Sequence, residues 1–423
     1  MTVLLETPNG RLSATSTARL LPTQPGPSWP AHLGRLGPMP LDAPSRLVRE
    51  LEAVGLRGRS GGGFPTARKF AAVHAASSRS RRPVVVVNAC EGEPTSAKDK
   101  VLLTASPHLV VDGALLAAET LGADRIVIAV HRGTAGPAQL RAALAERPIP
   151  SPVSVVEVPA RFIASEATAL VNYLGSGDAR PLGRMAKIWE SGIDGRPTLV
   201  NNAETMAQLS LLGRFGADWF RQLGTSGEAG TSLVTIGGAA RRPGVVEIPT
   251  GTPVGAVLAT TGAAASAWAL TGGLAGRWVW LPDVLDVGFS AAQLAAVGAH
   301  RGVGSIVVLP PNGCVLEETV RIIDHLAASG ARQCGPCMFG LPAIAADLTS
   351  LSRGDGSALA RLQRRLPVIN GRGACAHPDG AVMVAASALQ VLTTSLGGHL
   401  TQHLQAGPCH APTVVPLSPG TSR

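Results

Sequence analysis

Aromatic residues make up only 3% of the 423-residue chain, and their scarcity decides how its positive charge should be read. A formal charge of +9 suits nucleic acid, an anionic surface, phosphate ligands or an acidic protein partner. The densest basic cluster, Arg79-Ser80-Arg81-Arg82, has no interleaved aromatic ring on which a base would stack, so it reads as a solvated face and no nucleic-acid partner is expected. No apolar run approaches the roughly 18 residues of a membrane helix. The opening MTVLLETPNGRL has neither a basic n-region nor a continuous apolar h-region, so a cytoplasmic chain is expected. Six cysteines without a leader point away from a disulfide framework and toward metal or redox chemistry. The two commonest nucleotide fingerprints, G-x-G-x-x-G after a strand and G-x-x-x-x-G-K-[ST], are both absent.

What is present is apolar material for several cores: 45% hydrophobic residues, punctuated by 50 glycines and 33 prolines without a G-X-Y period. Residues 1–40, with Pro22, Pro25, Pro27 and Pro30 close together, read as an irregular arm. Apolar runs at 83–87, 125–130 and 153–158 predict strands, and 109–121 and 136–146 predict helices, giving an α/β layer with parallel strands. Over 232–282 the short runs SLVTIGG, GVVEIP and AVLATTG, separated by turn signals, predict a small α+β module. From 317 onward EETVRIIDHLAAS, FGLPAIAADLTSL and AVMVAASALQVLTTSL predict helices with cysteine-bearing loops between them. Residues from about 407 read as a loose tail.

Gly58-Arg59-Ser60-Gly61-Gly62-Gly63-Phe64-Pro65-Thr66 follows an amphipathic helix and is itself followed by Arg68 and Lys69. Glycines let backbone N–H groups approach a phosphate or a ring, and the basic residues supply charge; a flexible turn is the plainer alternative. Gln333-Cys334-Gly335-Pro336-Cys337 is one C-x-x-C, and Cys375 follows after a helical stretch. Such a pair is a zinc half-site, a dithiol or a cluster half-site, and Cys334, Cys337, Cys375 and His377 make an acceptable tetrahedral zinc set.

The segment GLRGRSGGGFPTARKF resembles the flavin loop of the NADH-oxidising flavoprotein subunit of respiratory complex I, the 51 kDa family that includes the diaphorase subunits of soluble hydrogenases. Asn88-Ala89-Cys90-Glu91-Gly92-Glu93-Pro94 and Gly195-Arg196-Pro197-Thr198 with Asn201-Asn202-Ala203-Glu204-Thr205 resemble two further motifs of that family, in the same order. The resemblance implies an FMN-binding α/β domain over 41–225, an SLBB-type β-grasp module over 226–305, a helical iron–sulfur domain over 306–406 and a flexible tail over 407–423. It implies that Gly58, Arg59, Ser60, Gly61, Gly63 and Lys69 line the flavin and its phosphate, and that Phe64 stacks on a nicotinamide or flavin plane. Asn88, Glu91 and Glu93 would meet the isoalloxazine or ribityl side, with Glu91 and Glu93 as catalytic carboxylates, and Ser165 and Glu166 would stand near the dinucleotide. Asn201, Asn202 and Thr205 would form the opposite wall.

The family's paired glutamates become Glu166-Ala167, its NADE becomes Asn88-Ala89-Cys90-Glu91, and its first cluster cysteine becomes Ala331. Cys334, Cys337 and Cys375 are then left for a [4Fe–4S] cluster with an incomplete cysteine set, or for a [3Fe–4S] cluster. Arg184 and Lys187 are candidate partners for a 2′-phosphate, with a solvated loop as the alternative. The expected activity is oxidation of NADH or NADPH at FMN, with single electrons passed through the cluster to a ferredoxin-like, other iron–sulfur or quinone-reductase partner in a hetero-oligomeric redox complex. Such a complex would sit on the inner face of a membrane only through a partner. The alternatives are a non-catalytic structural subunit, motivated by Ala167, Cys90 and Ala331, and a zinc-stabilised flavoprotein.

Overall fold

The computed structural model describes residues 18–22, 26–263, 266–393 and 398–417. The strands predicted from the apolar runs form a parallel sheet: β1 (Val84–Asn88), β2 (Arg125–His131), β3 (Val153–Val158) and β4 (Thr198–Asn202), ordered β3-β2-β1-β4. Both faces are covered, as parallel strands require. Val85 and Val87 enter a core with Leu47 and Leu51 of helix Ala43–Val54 and with helices Pro107–Leu121 and Ala203–Arg221. Val84 and Val86 point to the other side, against Leu170, Val171 and Ile193. The chain runs β1 to β3 on one side of β1 and returns to place β4 on the other, so the strand order reverses between β1 and β4. There Asn88 lies in register with Asn202 at the carboxyl ends of the strands, where open α/β sheets bind ligands.

A second, mixed sheet contains β5 (Thr231–Gly238), β6 (Gly244–Pro249), β7 (Trp268–Thr271), β8 (Arg277–Trp280) and β9 (Ser305–Val308), in the order β6-β5-β9-β7-β8. Its first and last strands run parallel at the centre. The run AVLATTG, expected as β-type, is a helix over Val254–Ala259 instead, because Val254, Val257 and Leu258 repeat at helical spacing and bury one face against the sheet. Strand β9 also runs past the boundary expected at 305. The sheet is a wedge: Leu233 and Val245 join the core of the first layer, while Leu270, Trp278 and Val307 join that of the C-terminal helices.

Those helices are Val315–Ser329, Leu341–Ser352, Ser357–Ile369, His377–Thr393 and Gly398–Ala406. Two expected irregular segments are ordered in part. Within 1–40, Leu20 and Leu21 are buried and Trp29–Leu36 is a helix, capped by Ser28 and started by Pro30. In the expected tail, the Val415 side chain is buried and its N–H donates to Glu318 Oε1 at 3.1 Å. Among the described residues no single helix is long and apolar enough to cross a membrane. The bent pair Lys98–Ala105 and Pro107–Leu121 reaches that length and composition only when taken together, and its second helix is almost wholly buried in the α/β core.

Candidate flavin and cluster sites

A cavity of about 400 Å³ opens at the reversal point between β1 and β4. Its wall is drawn from every layer: the glycine loop, the Asn88–Asp99 segment, the Phe162–Ala167 turn, Val200 and Asn202, Ala275 and Val303 beside the second sheet, and Ala376 with His377 beside Cys375. Ten of the sequence candidates line it, namely Arg59, Ser60, Gly61, Lys69, Asn88, Glu91, Glu93, Ser165, Glu166 and Asn202.

Gly58, Gly63, Phe64, Asn201 and Thr205 are not among the lining residues. Gly58 N–H donates to Phe64 O at 2.9 Å, closing the neck of the loop, and Gly63 takes the left-handed φ of 53° that its turn needs. Phe64 stands half exposed beyond the rim, so the predicted stacking ring is outside the cavity. Thr205 is buried and its Oγ1 accepts the Arg59 N–H at 2.9 Å, which ties the loop to the helix that follows β4. The Arg59 guanidinium is buried against Glu228 at 2.6 Å and donates to the Thr231 carbonyl at 3.2 Å. Its charge is therefore neutralised inside the protein and is not offered to a phosphate.

Several carboxylates and amides in the wall are committed to shaping it. Glu91 accepts from Ser96 Oγ at 2.6 Å, Asp99 N–H at 3.0 Å and Lys100 N–H at 3.1 Å, so it satisfies the amino end of helix Lys98–Ala105. Asn202 caps the helix after β4 through Glu204 N–H and accepts Lys98 Nζ at 2.9 Å. Asn88 Nδ2 donates to Ser165 O at 2.8 Å, joining β1 to the Phe162–Ser165 turn. Gly92 is required where these segments meet, because a Cβ there would lie 2.5 Å from Ser165 Oγ. Glu166 Oε2 accepts from Thr168 and Ala169 N–H, both at 2.9 Å, at the start of helix Ala167–Ser176.

The polar groups left for a ligand form a coherent set. The N–H groups of Ser60, Gly61 and Gly62 make no protein hydrogen bond among the described residues, and a Cβ on Gly62 would meet nothing within 4 Å. Lys69 has only neutral partners, the Val200 carbonyl at 3.0 Å and Asn201 Oδ1 at 3.4 Å, and burial lowers its pKa to about 8. Asn201 Nδ2 is buried without a partner. Glu93 accepts from Thr95 and, across the sheet boundary, from Leu274 N–H at 3.1 Å; burial raises its pKa to about 7. Cys90 is buried, and burial, then the neighbouring Asp99, pushes its thiol up, so it borders the cavity as a neutral group.

Ala376 and His377 belong to the cavity and to the cysteine loop at once. Cys337 is buried at the start of a wide helical turn, Pro336–Gly340, and its Sγ accepts Arg332 N–H at 3.4 Å from a left-handed Arg332 with φ 55°. A Cβ on Gly330 would overlap that sulfur, so Gly330 leaves the space the thiolate needs. Cys375 lies close enough for Cys334 and Cys337 to raise its pKa, after the larger effect of burial. Ala331 offers no side-chain donor, so cysteine supplies three candidate ligands here, Cys334, Cys337 and Cys375.

The zinc set is not assembled. Among the described residues, Cys334, Cys337, Cys375 and His377 are not a group whose ligand atoms all lie within 4.8 Å of one another. His377 Nε2 instead pairs with the Leu326 carbonyl at 2.7 Å. Arg184 is not free for a 2′-phosphate either, since Nε donates to Gly373 O at 2.7 Å, Nη2 to Cys375 O at 3.1 Å, and the guanidinium pairs with Asp379. Lys187 pairs with Glu190 on the surface at 3.1 Å.

An α/β flavin-type cavity that shares a wall with a cysteine cluster loop defines an electron-transfer subunit carrying both kinds of centre. Residues 51–211 match the Nuo51 FMN-binding domain, and residues 317–398 match the NADH-ubiquinone oxidoreductase-F iron-sulfur binding region. The chain belongs to the complex I 51 kDa flavoprotein family. It is 30% identical over 373 residues to an NADH-quinone oxidoreductase subunit of Salmonella typhimurium, covering 82% of this chain and 83% of that one. It is 27% identical over 353 residues to the HndC subunit of the NADP-reducing hydrogenase of Solidesulfovibrio fructosivorans, covering 78% and 71%. In the crystal structure of an NAD+-reducing [NiFe]-hydrogenase in the H2-reduced state, a chain with 26% identity superposes with a TM-score of 0.75, covering 91% of this chain and 66% of that one.

Proposed function

We propose that this chain is the electron-entry subunit of a hetero-oligomeric redox complex, oxidising a nicotinamide cofactor at FMN and delivering single electrons through an iron–sulfur cluster to a ferredoxin-like or quinone-reductase partner. One observation carries it: a single cavity is walled on one side by the glycine loop and on the other by Ala376 and His377, which directly follow Cys375. FMN, when bound, supplies the exchange between two-electron and one-electron chemistry.

The chain's own groups suit that cofactor. The unbonded N–H groups of Ser60, Gly61 and Gly62 and the Lys69 ammonium, which has no anionic partner, would hold the phosphate. Glu93, with its pKa raised to about 7, is the group that exchanges a proton with the flavin edge near neutral pH. Ser165 and Glu166 sit on the cavity wall where a dinucleotide would enter, while Asn88, Glu91, Asn202 and Thr205 keep the cavity in shape. Because Arg184 is held by the cysteine loop and Lys187 by Glu190, neither cation favours NADPH, and NADH is the preferred donor. The three thiolates of Cys334, Cys337 and Cys375, with backbone N–H support at Cys337, would hold a cluster with one corner not supplied by cysteine. The middle sheet, with its first and last strands parallel at the centre and the two short helices Val254–Ala259 and Ala291–Ala296, is read as an SLBB-type β-grasp that packs the flavin and cluster units together. The units would span 41–225, 226–308 and 309–406.

The test is an absorption spectrum of anaerobically purified protein with flavin extraction and iron analysis, followed by stopped-flow mixing with NADH and with NADPH. Flavin and iron should be present, and NADH should bleach the flavin faster than NADPH. A colourless protein that takes up no flavin would leave only the structural-subunit reading.

A further inference from the structure

Cys314, His403 and Cys409 lie away from the flavin cavity and belong to neither the glycine loop nor the Cys334–Cys375 cluster loops. Their ligand atoms all fall within 4.8 Å of one another, and among the described residues they are the one such group of three. Cys314 and His403 are fully buried, with Sγ and Nε2 3.3 Å apart. Cys409 comes from the segment after helix Gly398–Ala406, which the sequence alone assigns to a loose tail.

The group has the features of a built site. Cys314 caps helix Val315–Ser329, where Glu317 N–H donates to Sγ at 3.3 Å, so a thiolate there gains both the hydrogen bond and the positive end of the helix. His403 Nδ1 lies 3.0 Å from the Ser352 carbonyl. Donation to that carbonyl puts the proton on Nδ1 and leaves the Nε2 lone pair facing the sulfurs, the arrangement that outer-shell partners impose on metal-binding imidazoles. On the Nδ1 side of the ring, Glu317 Oε1 is buried without a hydrogen bond, 3.9 Å from His403 Nδ1, and favours the tautomer with its proton there.

We propose that Cys314, His403 and Cys409 bind a structural zinc ion, with water in the fourth position. Two thiolates and a neutral imidazole suit this borderline-soft cation and balance its charge in a buried setting. The ion would clamp the C-terminal segment onto the first turn of Val315–Ser329, the helix that leads into the Cys334–Cys337 loop. The site is separate from the cluster, so the protein would carry zinc in addition to iron.

Holoprotein with its flavin and iron in place is analysed for metals alongside Cys409→Ser and Cys409→His. About one zinc per chain is expected in the parent, lost in Cys409→Ser with iron and flavin content unchanged, and retained in Cys409→His. Cobalt substituted for zinc should show a thiolate charge-transfer band that Cys409→Ser abolishes. Zinc absent from the parent, zinc unaffected by Cys409→Ser, or an intact mass two hydrogens light from a Cys314–Cys409 disulfide would each overturn the proposal.

Discussion

Lys69 gives the sharpest test of the flavin site, because its hydrogen-bond partners are a backbone carbonyl and an amide oxygen rather than a carboxylate. If it binds the FMN phosphate, it makes a charge-assisted hydrogen bond of about 1.5–3 kcal/mol. Replacing it by glutamine should then weaken FMN roughly 10- to 150-fold while leaving riboflavin, which has no phosphate, within about twofold. The pH dependence carries the same signature. In the flavin-free protein burial lowers the lysine to about 8, and a bound dianion stabilises the protonated form and raises it again. FMN affinity should accordingly be full below pH 8 and fall by up to about tenfold per unit above it, whereas riboflavin affinity stays flat. Quenching of flavin fluorescence in titrations of both ligands from pH 7 to 10 measures each quantity. The glutamine variant should melt no lower than the parent, since it removes a charge held without an anionic partner. Equal losses for FMN and riboflavin, or parallel pH profiles, would show that Lys69 does not meet the phosphate.

Four other outcomes follow from the geometry. Glu93 has a folded pKa of about 7, above its ordinary value of 4.5, so it makes the flavin-free protein lose stability as pH rises from 4.5 to 7, by an amount on the order of 3 kcal/mol at most; Glu93→Gln should flatten that part of a denaturation-versus-pH curve. Arg184→Gln removes the clamp on Gly373, Cys375 and Asp379, and should leave flavin bound while iron is lost faster in air, measured by bleaching of the cluster absorbance. Ala331→Cys offers a fourth thiolate next to the amide support of Cys337, and should change the electron paramagnetic resonance spectrum of the reduced cluster; an unchanged spectrum would mean the fourth corner is closed to this position. Gly92→Ala should cost about 1–3 kcal/mol in thermal or chemical unfolding, because its methyl would be forced against Ser165 Oγ.

The parallel sheet was legible because its strands are continuous apolar runs and Pro107–Leu121 has a helical period, both local properties. The glycine loop was legible as candidate ligand-binding material from its residue types, and the Asn88–Glu93 and Asn201–Thr205 segments only through their resemblance to family motifs; the latter two are brought to one place by the ends of β1 and β4. What each side chain does there was not. The partner of Arg59 is Glu228, 169 residues away, and the role of Glu91 depends on where helix Lys98–Ala105 begins. The exposure of Phe64 and the engagement of Arg184 with the cysteine loop follow from tertiary placement, which residue type does not encode. Cys409 was hidden for the same reason, its neighbours lying on an earlier helix and on the last one. The helix Trp29–Leu36 did carry a signal, Ser28 followed by Pro30, but the nearby prolines suggested an irregular arm instead.

The carboxylate of Glu228 is shared by two guanidiniums, Arg59 at 2.6 Å from the glycine loop and Arg301 at 3.5 Å from the far end of the middle unit. Drawing the middle unit away would carry Glu228 and Arg301 off together and leave the Arg59 guanidinium buried without its carboxylate, so separation is opposed at the glycine loop. Retention of a flavin in the cavity would thereby depend on a unit that supplies only Ala275 and Val303 to its wall. Damage there would be recorded first as flavin lost to the solvent.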